Sequence, residues 1–412
     1  MAEKLAIDGG KPVRAEPLIG RYPGAMMIGE EEKKAVLEVL ESKSLFRFYG
    51  PGEPSKVSTF EDEFAEKMGA KHALAVTSGT AALNVGLQAI GVGPGDEVIV
   101  PAYTFIATVD SVVTSKAIPI FAEIDKSLGL SPADVEAKIT DKTKAVVPVH
   151  LHGSAAKMDE IMEIAQKYDL LVIEDCAQAC GASYHGKRVG TVGHVGAFSL
   201  QLGKLITCGD GGVVATDDDL IYERACRIHD HGDYRGEGVV PPFISGVYRM
   251  NELSGAVALE QLRKLDTLIM PVIRRNKKRI KSGISEIKGI EFREISDEQG
   301  ETGSNVIFYL PPGDAASRFR AALSAENIFA GAGYRSPVYM REQILNQRTV
   351  TAEGCPFTCP YYGRKIEYRE GMCPQTEEMI SRIVSIPIGP AFTDRDCDDI
   401  IEAVQKVSRA LL

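Results

Sequence analysis

Four short stretches, far apart along the chain, carry side chains whose types and spacing suit one piece of chemistry. Thr77-Ser78-Gly79-Thr80-Ala81-Ala82 follows an apolar run and opens a helical pattern. The unpaired N–H groups and partial positive charge of a helix start make a phosphate site. Gly79 would let the backbone come close, and the Ser78 and Thr80 hydroxyls would add donors; an ordinary helix cap is the alternative use. Pro101-Ala102-Tyr103-Thr104-Phe105 ends the next apolar run. Ligands of open α/β sheets bind outside such strand ends, where the Phe105 ring can stack on a flat heterocycle or simply join the core. Glu174 and Asp175 end a third run, followed by Cys176-Ala177-Gln178. One carboxylate can face outward while the other enters a cleft and holds a proton on a ring nitrogen. Gln178, one helical turn on, can reach the same ligand, and a helix cap at Asp175 is the competing use. In the fourth stretch, 196–212, Lys204 stands between an apolar run with Ser199 and a Gly-rich turn. A lysine desolvated there has a lowered pKa and forms a Schiff base; a solvated loop lysine is the bland alternative.

A phosphate cradle, a ring stacker, a carboxylate for a ring nitrogen and an amine for an aldehyde are together the needs of pyridoxal 5′-phosphate. The elements that must position them alternate. Seven apolar runs at 72–76, 97–101, 119–124, 144–150, 170–175, 195–200 and 211–216 read as buried strands. Helical patterns at 80–90, 106–114, 132–138 and 158–168 fall between the earlier ones, which implies a mainly parallel sheet covered on both faces. The last two runs are too close for a helical crossover and read as antiparallel neighbours. Beyond residue 217 come helices at 220–228, 251–265 and 272–284. An α+β unit follows, with strands at 291–295 and 305–310 and helices at 315–326 and 394–410. The Tyr-, Pro- and Cys-rich stretch 336–373 reads as irregular loop. The expected organisation is an N-terminal arm (1–49), a large cofactor domain (50–265) and a small C-terminal α+β domain (270–412).

The composition sets outer bounds. A chain of 412 residues with 44% hydrophobic residues supports two or three packed domains and excludes a disordered chain. A net charge of −10 argues against a nucleic-acid partner. No apolar run reaches the ~18–20 residues of a membrane span, and the first residues lack the apolar stretch of a secretory signal. Cytoplasmic residence is expected. The eight cysteines are too sparse for a disulfide scaffold. Cys355-x3-Cys359-x13-Cys373 is not a standard zinc spacing, so no metal is expected and packing or loop thiols are the better reading. Cys176 and Cys180 read as small packing residues. His229 and His231 read either as lining for a substrate pocket or as part of a solvated loop.

With these motifs in place, the chain resembles the DegT/DnrJ/EryC1/StrS aminotransferases of fold type I. The resemblance rests on SGTAAL (78–83), PAYTFIAT (101–108), VHLHGSAAKMDEI (149–161), EDCAQACGASYHGKRVG (174–190), FSLQLGKLITCGDGG (198–212) and YRMNELSGAVALEQL (248–262), in family order. It implies a dependence on pyridoxal 5′-phosphate, with Lys204 as the Schiff-base lysine, Asp175 on the pyridine nitrogen and Gln178 on the ring oxygen. Phe105 would lie against the ring, and Gly79, Thr80, Ala81 and Ser199 around the phosphate. It also implies a homodimer with shared active sites, to which Arg249 would contribute across the interface near the phosphate. Many members have Asn two residues before that arginine, where this chain has Val247. The activity implied is ping-pong transfer of an amino group from glutamate or glutamine to a keto or aldehyde carbon of a sugar, sugar nucleotide or cyclitol. The sugar dehydratase branch has His where this chain has Lys204. LAIDGGKPVR (5–14) resembles members that aminate cyclitols, whereas PIFAEIDKSLGLSP (119–132) resembles the enzyme that aminates C8 of an octulosonate. A cysteine desulfurase is the main competing enzyme class. That group stacks a His on the ring and places a His before the Lys, where this chain has Phe105 and Gly203. A non-enzymatic regulator on the same fold is the third reading, and no helix-turn-helix extension accompanies it.

Overall fold

The computed structural model describes residues 4–18, 22–350 and 353–412. The parts of the expected arm and of the 336–373 stretch that fall on residues 1–3, 19–21 and 351–352 lie outside it. In chain order the elements are α1 (Glu30–Ser42), α2 (Lys56–Met68), β1 (His72–Val76), α3 (Gly79–Ala89), β2 (Glu97–Pro101), α4 (Ile106–Thr114), β3 (Ile118–Ala122), α5 (Pro132–Ala137), β4 (Thr143–Val146), α6 (Met158–Tyr168) and β5 (Leu171–Asp175). A short hairpin, β6 (Ser183–Tyr184) and β7 (Lys187–Arg188), leads to β8 (Val195–Ser199), β9 (Gly212–Thr216) and α7 (Asp219–His229). Then come α8 (Glu252–Lys264), α9 (Met270–Ile284), β10 (Glu291–Phe292), β11 (Asn305–Tyr309), α10 (Ala315–Ala325), α11 (Glu342–Leu345), α12 (Pro374–Ser381), β12 (Ile383–Pro387) and α13 (Asp394–Leu411).

The large sheet has seven strands in the order β1-β9-β8-β5-β4-β2-β3. Strands β8, β5, β4, β2 and β3 run parallel, and β9 lies antiparallel between β8 and β1. The expected antiparallel pairing of the last two strands is therefore present. The reason for continuous apolar runs is visible in the side-chain alternation. Ala73, Ala75, Ile99, Val146, Val172, Phe198 and Val213 enter one core with α2, α6 and α8. Leu74, Val76, Val98, Val100, Ala145, Ile173, Val195 and Val214 enter the other with α3, α4 and α7. Both faces of every strand are buried, so both phases of the period-2 repeat must be apolar.

The second sheet, β10-β11-β12, is antiparallel and packs with α9, α10 and α13. Helices α8 and α9 form one continuous run, joined by a π-helical turn at Leu265–Ile269 rather than by a loop. The stretch 336–373 is largely irregular, as expected, but it lies along the β2–β3 edge of the large sheet. Tyr368 Oη donates to Pro119 O at 2.8 Å, Tyr362 Oη to Glu97 Oε1 at 2.7 Å, and Val338 N to Ala102 O at 2.7 Å. The start of the chain is also tied down. Glu326 accepts from Ala6 N and Val13 N and pairs with the buried Lys406 ammonium at 3.0 Å. Helices α1, α2 and α12 and strand β12 had no counterpart in the sequence reading.

Candidate active site

The carboxyl ends of the parallel strands open into a cleft of about 630 Å³. Gly79, Thr80, Phe105, Asp175, Gln178, Ser199 and Lys204 all line it. Sequence separations of up to 125 residues thus collapse onto one site, because β1, β2, β5 and β8 all end at the same edge of the sheet.

The β1–α3 turn builds one wall. Ser78 is the N-cap of α3 and its Oγ accepts from Ala81 N at 3.0 Å. The capping use of this motif is real, and it engages the Ala81 N–H. Ala81 is buried beneath the cleft and does not line it, whereas Gly79 and Thr80 do. A Cβ at Gly79 would come within 2.6 Å of Ser199 Cβ and 3.0 Å of its Oγ. Gly79→Val is expected to lower stability by about 1–3 kcal/mol through this overpacking. A fall in Tm together with weakened cofactor affinity in a titration would show it.

Asp175 is buried at the end of β5. Its Oδ2 accepts from Thr108 Oγ1 at 2.8 Å and its Oδ1 from Ala177 N at 3.1 Å. Burial raises its pKa against the pull of those two hydrogen bonds and the Lys204 ammonium. A buried carboxylate with spare acceptor capacity at a cleft fits a cationic partner. The backbone after it is a turn rather than a helix, so Gln178 reaches the cleft by a turn. Its Nε2 donates to Tyr334 Oη at 2.9 Å and its Oε1 accepts from His152 N at 3.3 Å. Neither carboxylate of the Glu174-Asp175 pair faces solvent. Glu174 points to the opposite side of the strand and is wholly buried. It accepts from Gly190 N, Val192 N and Gly193 N and pairs with His150 Nε2 at 2.8 Å. Donors taken from water are left unsatisfied unless an acceptor follows them; Glu174 is that acceptor for two buried and two half-buried donors, and it fixes the 189–193 loop to β5.

Lys204 sits in the turn between β8 and β9, its backbone N donating to Gln201 O at 2.9 Å. Among the described residues its Nζ has no hydrogen bond and no salt bridge. Burial lowers its pKa, with Asp175 pulling the other way. An amine held this way is a neutral nucleophile at a pH where a surface lysine is not. Protonation removes that base, so kcat, which reports the complex in which the donor has freed the amine, is expected to fall as pH drops through a midpoint below 10.5. A pH–rate profile with its acid limb centred at or above the ordinary lysine value would contradict this.

Phe105 is about half exposed (49%), and its ring lies 6.1 Å from that of Tyr334. It belongs to the cleft wall and not to the core. Several residues that line the cleft or support its lining were not found from sequence. Thr108 orients Asp175 from one turn inside α4. Tyr103, fully buried, donates to Ala332 O at 2.8 Å and accepts from Tyr334 N at 3.2 Å, so it anchors Tyr334. His152 has a left-handed backbone (φ 52°), and its buried Nε2 has no hydrogen-bond partner. Burial, reinforced by Arg293, Lys204 and Lys277, pushes its pKa down to about 3, which leaves it neutral. Only the tertiary fold brings these residues to the site, and no local spacing announces them.

Arg249 does not line the cleft of its own chain. It pairs with Asp230, and its guanidinium lies 4.9 Å from the Phe46 ring centroid. His229 is also elsewhere, buried beside Arg47 with its pKa lowered to about 4 by burial. Cys176 and Cys180 are buried, and Cys180 lines the inner end of the cleft.

The chemistry of the donor set fits pyridoxal 5′-phosphate. The cleft holds an unpartnered desolvated amine and a buried carboxylate, and it has a glycine where a side chain would collide with Ser199. A sheet of this order with such a cleft at its carboxyl edge defines a fold type I pyridoxal-phosphate protein. Residues 26–405 match the DegT/DnrJ/EryC1/StrS aminotransferase family, and the chain belongs to it. It is 33% identical over 430 residues to the L-glutamine:2-deoxy-scyllo-inosose aminotransferase of Streptomyces kanamyceticus, covering 98% of this chain and 97% of that protein. It is 41% identical over 214 residues to the GDP-perosamine synthase of Vibrio cholerae, covering 52% of this chain and 58% of that one. S. venezuelae DesV, solved in complex with a ketimine intermediate, superposes with a TM-score of 0.80 at 30% identity, over 95% of this chain and 99% of that one. The protein is an aminotransferase of the sugar and cyclitol family.

Proposed function

We propose that the cleft moves an amino group from glutamate or glutamine to a keto carbon of a cyclitol or sugar in a ping-pong sequence. The observation that carries this is the desolvated, unpaired Lys204 amine in the same cleft as the buried Asp175 carboxylate. When bound, pyridoxal 5′-phosphate supplies an aldehyde that carries the amino group and a ring that takes up the electron pair. Lys204 Nζ would hold the aldehyde, and as a free amine it would take the proton from the donor's Cα and return one to the acceptor carbon. Asp175, held by Thr108, would keep the ring nitrogen protonated. Phe105 and Gln178 would orient the ring, and Gly79, Thr80 and Ser199 would surround the phosphate.

Lys204 is the one cation lining the cleft among the described residues. A phosphate dianion needs more positive charge than the start of α3 provides. Arg249 of a second copy would supply it. Beside Arg249, Phe46 packs on the exposed Tyr49 (69%), and Ile244 is fully exposed. Apolar surface of that kind supports a shared homodimeric site, which sedimentation equilibrium tests. Among the described residues no helix is long and apolar enough to cross a membrane, and cytoplasmic residence is part of the proposal.

The remaining polar lining is His152, Ser304, Asn305, Gln201 and Tyr334 with the Asp210 carboxylate, and beyond Lys204 it holds no cation among the described residues. It suits a neutral polyhydroxylated ring better than an 8-oxo octulosonate, whose carboxylate would want a cation. His152 lines the cleft, and a small turn of its ring would bring the unpartnered Nε2 to an acceptor hydroxyl. His152→Ala is expected to lower kcat/KM for the acceptor by about 10–100-fold while leaving the donor half-reaction unchanged. Keto acid release from glutamate or glutamine, measured against keto-cyclitols, nucleotide-linked keto sugars and an 8-oxo octulosonate, tests the acceptor class. Turnover with the octulosonate alone would overturn the neutral-ring reading.

A further inference from the structure

The mechanism leaves one pair of nucleophilic side chains unused. Cys355 and Cys359 lie on the turn that runs along the β2–β3 edge, and their Sγ atoms are 2.8 Å apart. Both are half-buried and do not line the cleft. Backbone hydrogen bonds hold the turn: Thr358 N to Gly354 O at 3.3 Å, Cys359 N to Pro356 O at 3.2 Å, and Tyr362 N to Cys359 O at 3.2 Å. The Tyr362 hydroxyl then fastens it to Glu97 on β2. Two thiols on a fixed turn, already closer than ordinary packing, need only a small approach to reach the ~2.0 Å of a disulfide bond.

The Cys359 thiol is held above its ordinary pKa first by its hydrogen bond with Cys355 and then by burial, whereas burial leads for the other six cysteines. Cys180, Cys208, Cys226 and Cys373 have thiol pKa values pushed up to about 12 by burial and Cys397 to about 11, and burial also holds Cys176 well above the usual thiol value. Such thiols are poor nucleophiles. Cys373 does not join the pair: it is fully buried, with its Sγ directed at Phe121 O. The three-cysteine spacing seen in the sequence therefore resolves into one close pair and one core residue.

We propose that Cys355 and Cys359 are a reversible dithiol–disulfide site, oxidised by exchange with a small-molecule disulfide. The thiolate of one cysteine attacks a sulfur of glutathione disulfide, forms a mixed disulfide and releases one glutathione thiolate. The thiolate of the other attacks the protein sulfur of that mixed disulfide, closing the Cys355–Cys359 bond and releasing the second glutathione. The two protein thiols lose two electrons, the glutathione disulfide gains them, and the two thiol protons pass to the released glutathione thiolates.

The test uses the holoenzyme, equilibrated in glutathione buffers of stepped ratio, trapped by alkylation and mapped as peptides by mass spectrometry. The expected result is that 355–359 is the first peptide to lose two hydrogens and escape alkylation, and that dithiothreitol restores both thiols. Cys359→Ser is expected to leave Cys355 as a lasting glutathione adduct, and Cys355→Ser to do the same to Cys359, with cofactor absorbance unchanged in both. Stable glutathionylation of the unmodified pair, or earlier oxidation of any other cysteine pair, would overturn the proposal. Since these readouts do not depend on amino transfer, failure of the aminotransferase reading would leave them intact.

Discussion

Replacing Lys204 with alanine is expected to lower kcat/KM by at least about 10⁴-fold. The size follows from two losses at one atom. The variant has no amine to hold the cofactor's aldehyde and no base beside the donor's Cα. Both functions need Nζ unprotonated, and burial supplies that condition by lowering its pKa. The fold should survive. Lys204 Nζ makes no hydrogen bond to any described residue, and the backbone bond from Lys204 N to Gln201 O is independent of the side chain. A second readout separates chemistry from folding. Borohydride reduction of the loaded wild-type protein, followed by peptide mapping, should place the cofactor's mass on the peptide that contains Lys204, and the variant should carry none. Cofactor mass on another lysine would disprove the assignment.

Asp175→Asn is expected to cost about 10²–10³-fold in kcat, with borohydride labelling at Lys204 retained. Asparagine keeps an oxygen for the Ala177 N–H, and the Thr108 hydroxyl can turn to accept from its amide nitrogen, so the local structure retains partners. What disappears is the negative charge. In the empty cleft, burial raises the pKa of Asp175, and a protonated ring nitrogen alongside would pull it down again. The sign matters for stability. A carboxylate whose folded pKa is raised favours the folded state while protonated, and that contribution is lost as pH rises through its folded value. The cofactor-free protein should therefore gain stability at neutral pH from Asp175→Asn even as it loses activity. A variant that kept full turnover would show that the carboxylate is not the ring-nitrogen partner.

Much of this molecule could be read from its sequence, for a physical reason. Strands buried on both faces must be apolar at every position, and the runs at 72–76, 97–101 and 195–200 stand out against polar helix faces and Gly-rich turns. The strand ends also carry their chemistry locally, so Gly79, Phe105, Asp175 and Lys204 were found from short motifs. Residues that act through the tertiary fold gave no such signal. His152 matters through an orphaned nitrogen, Thr108 through one hydrogen bond to a residue 67 positions away, and Tyr334 through its anchor on Tyr103. Glu174 was misjudged because alternation says only that it opposes Asp175. It cannot say that four donors wait on that side. Strand β12 went unread because five residues ending in Ile386-Pro387, so close to α12, have no period long enough to detect.

The central claim is that one cleft carries an amino group between two substrates that never meet. The most direct measurement mixes the cofactor-loaded protein with glutamate, or with glutamine, in the absence of any acceptor, and counts keto acid against protein chains. One equivalent of keto acid per chain, formed in a burst that then stops and resumes only when a keto-cyclitol or keto sugar is added, is the expected result. Steady release of keto acid without an acceptor, or none from either donor, would contradict the account.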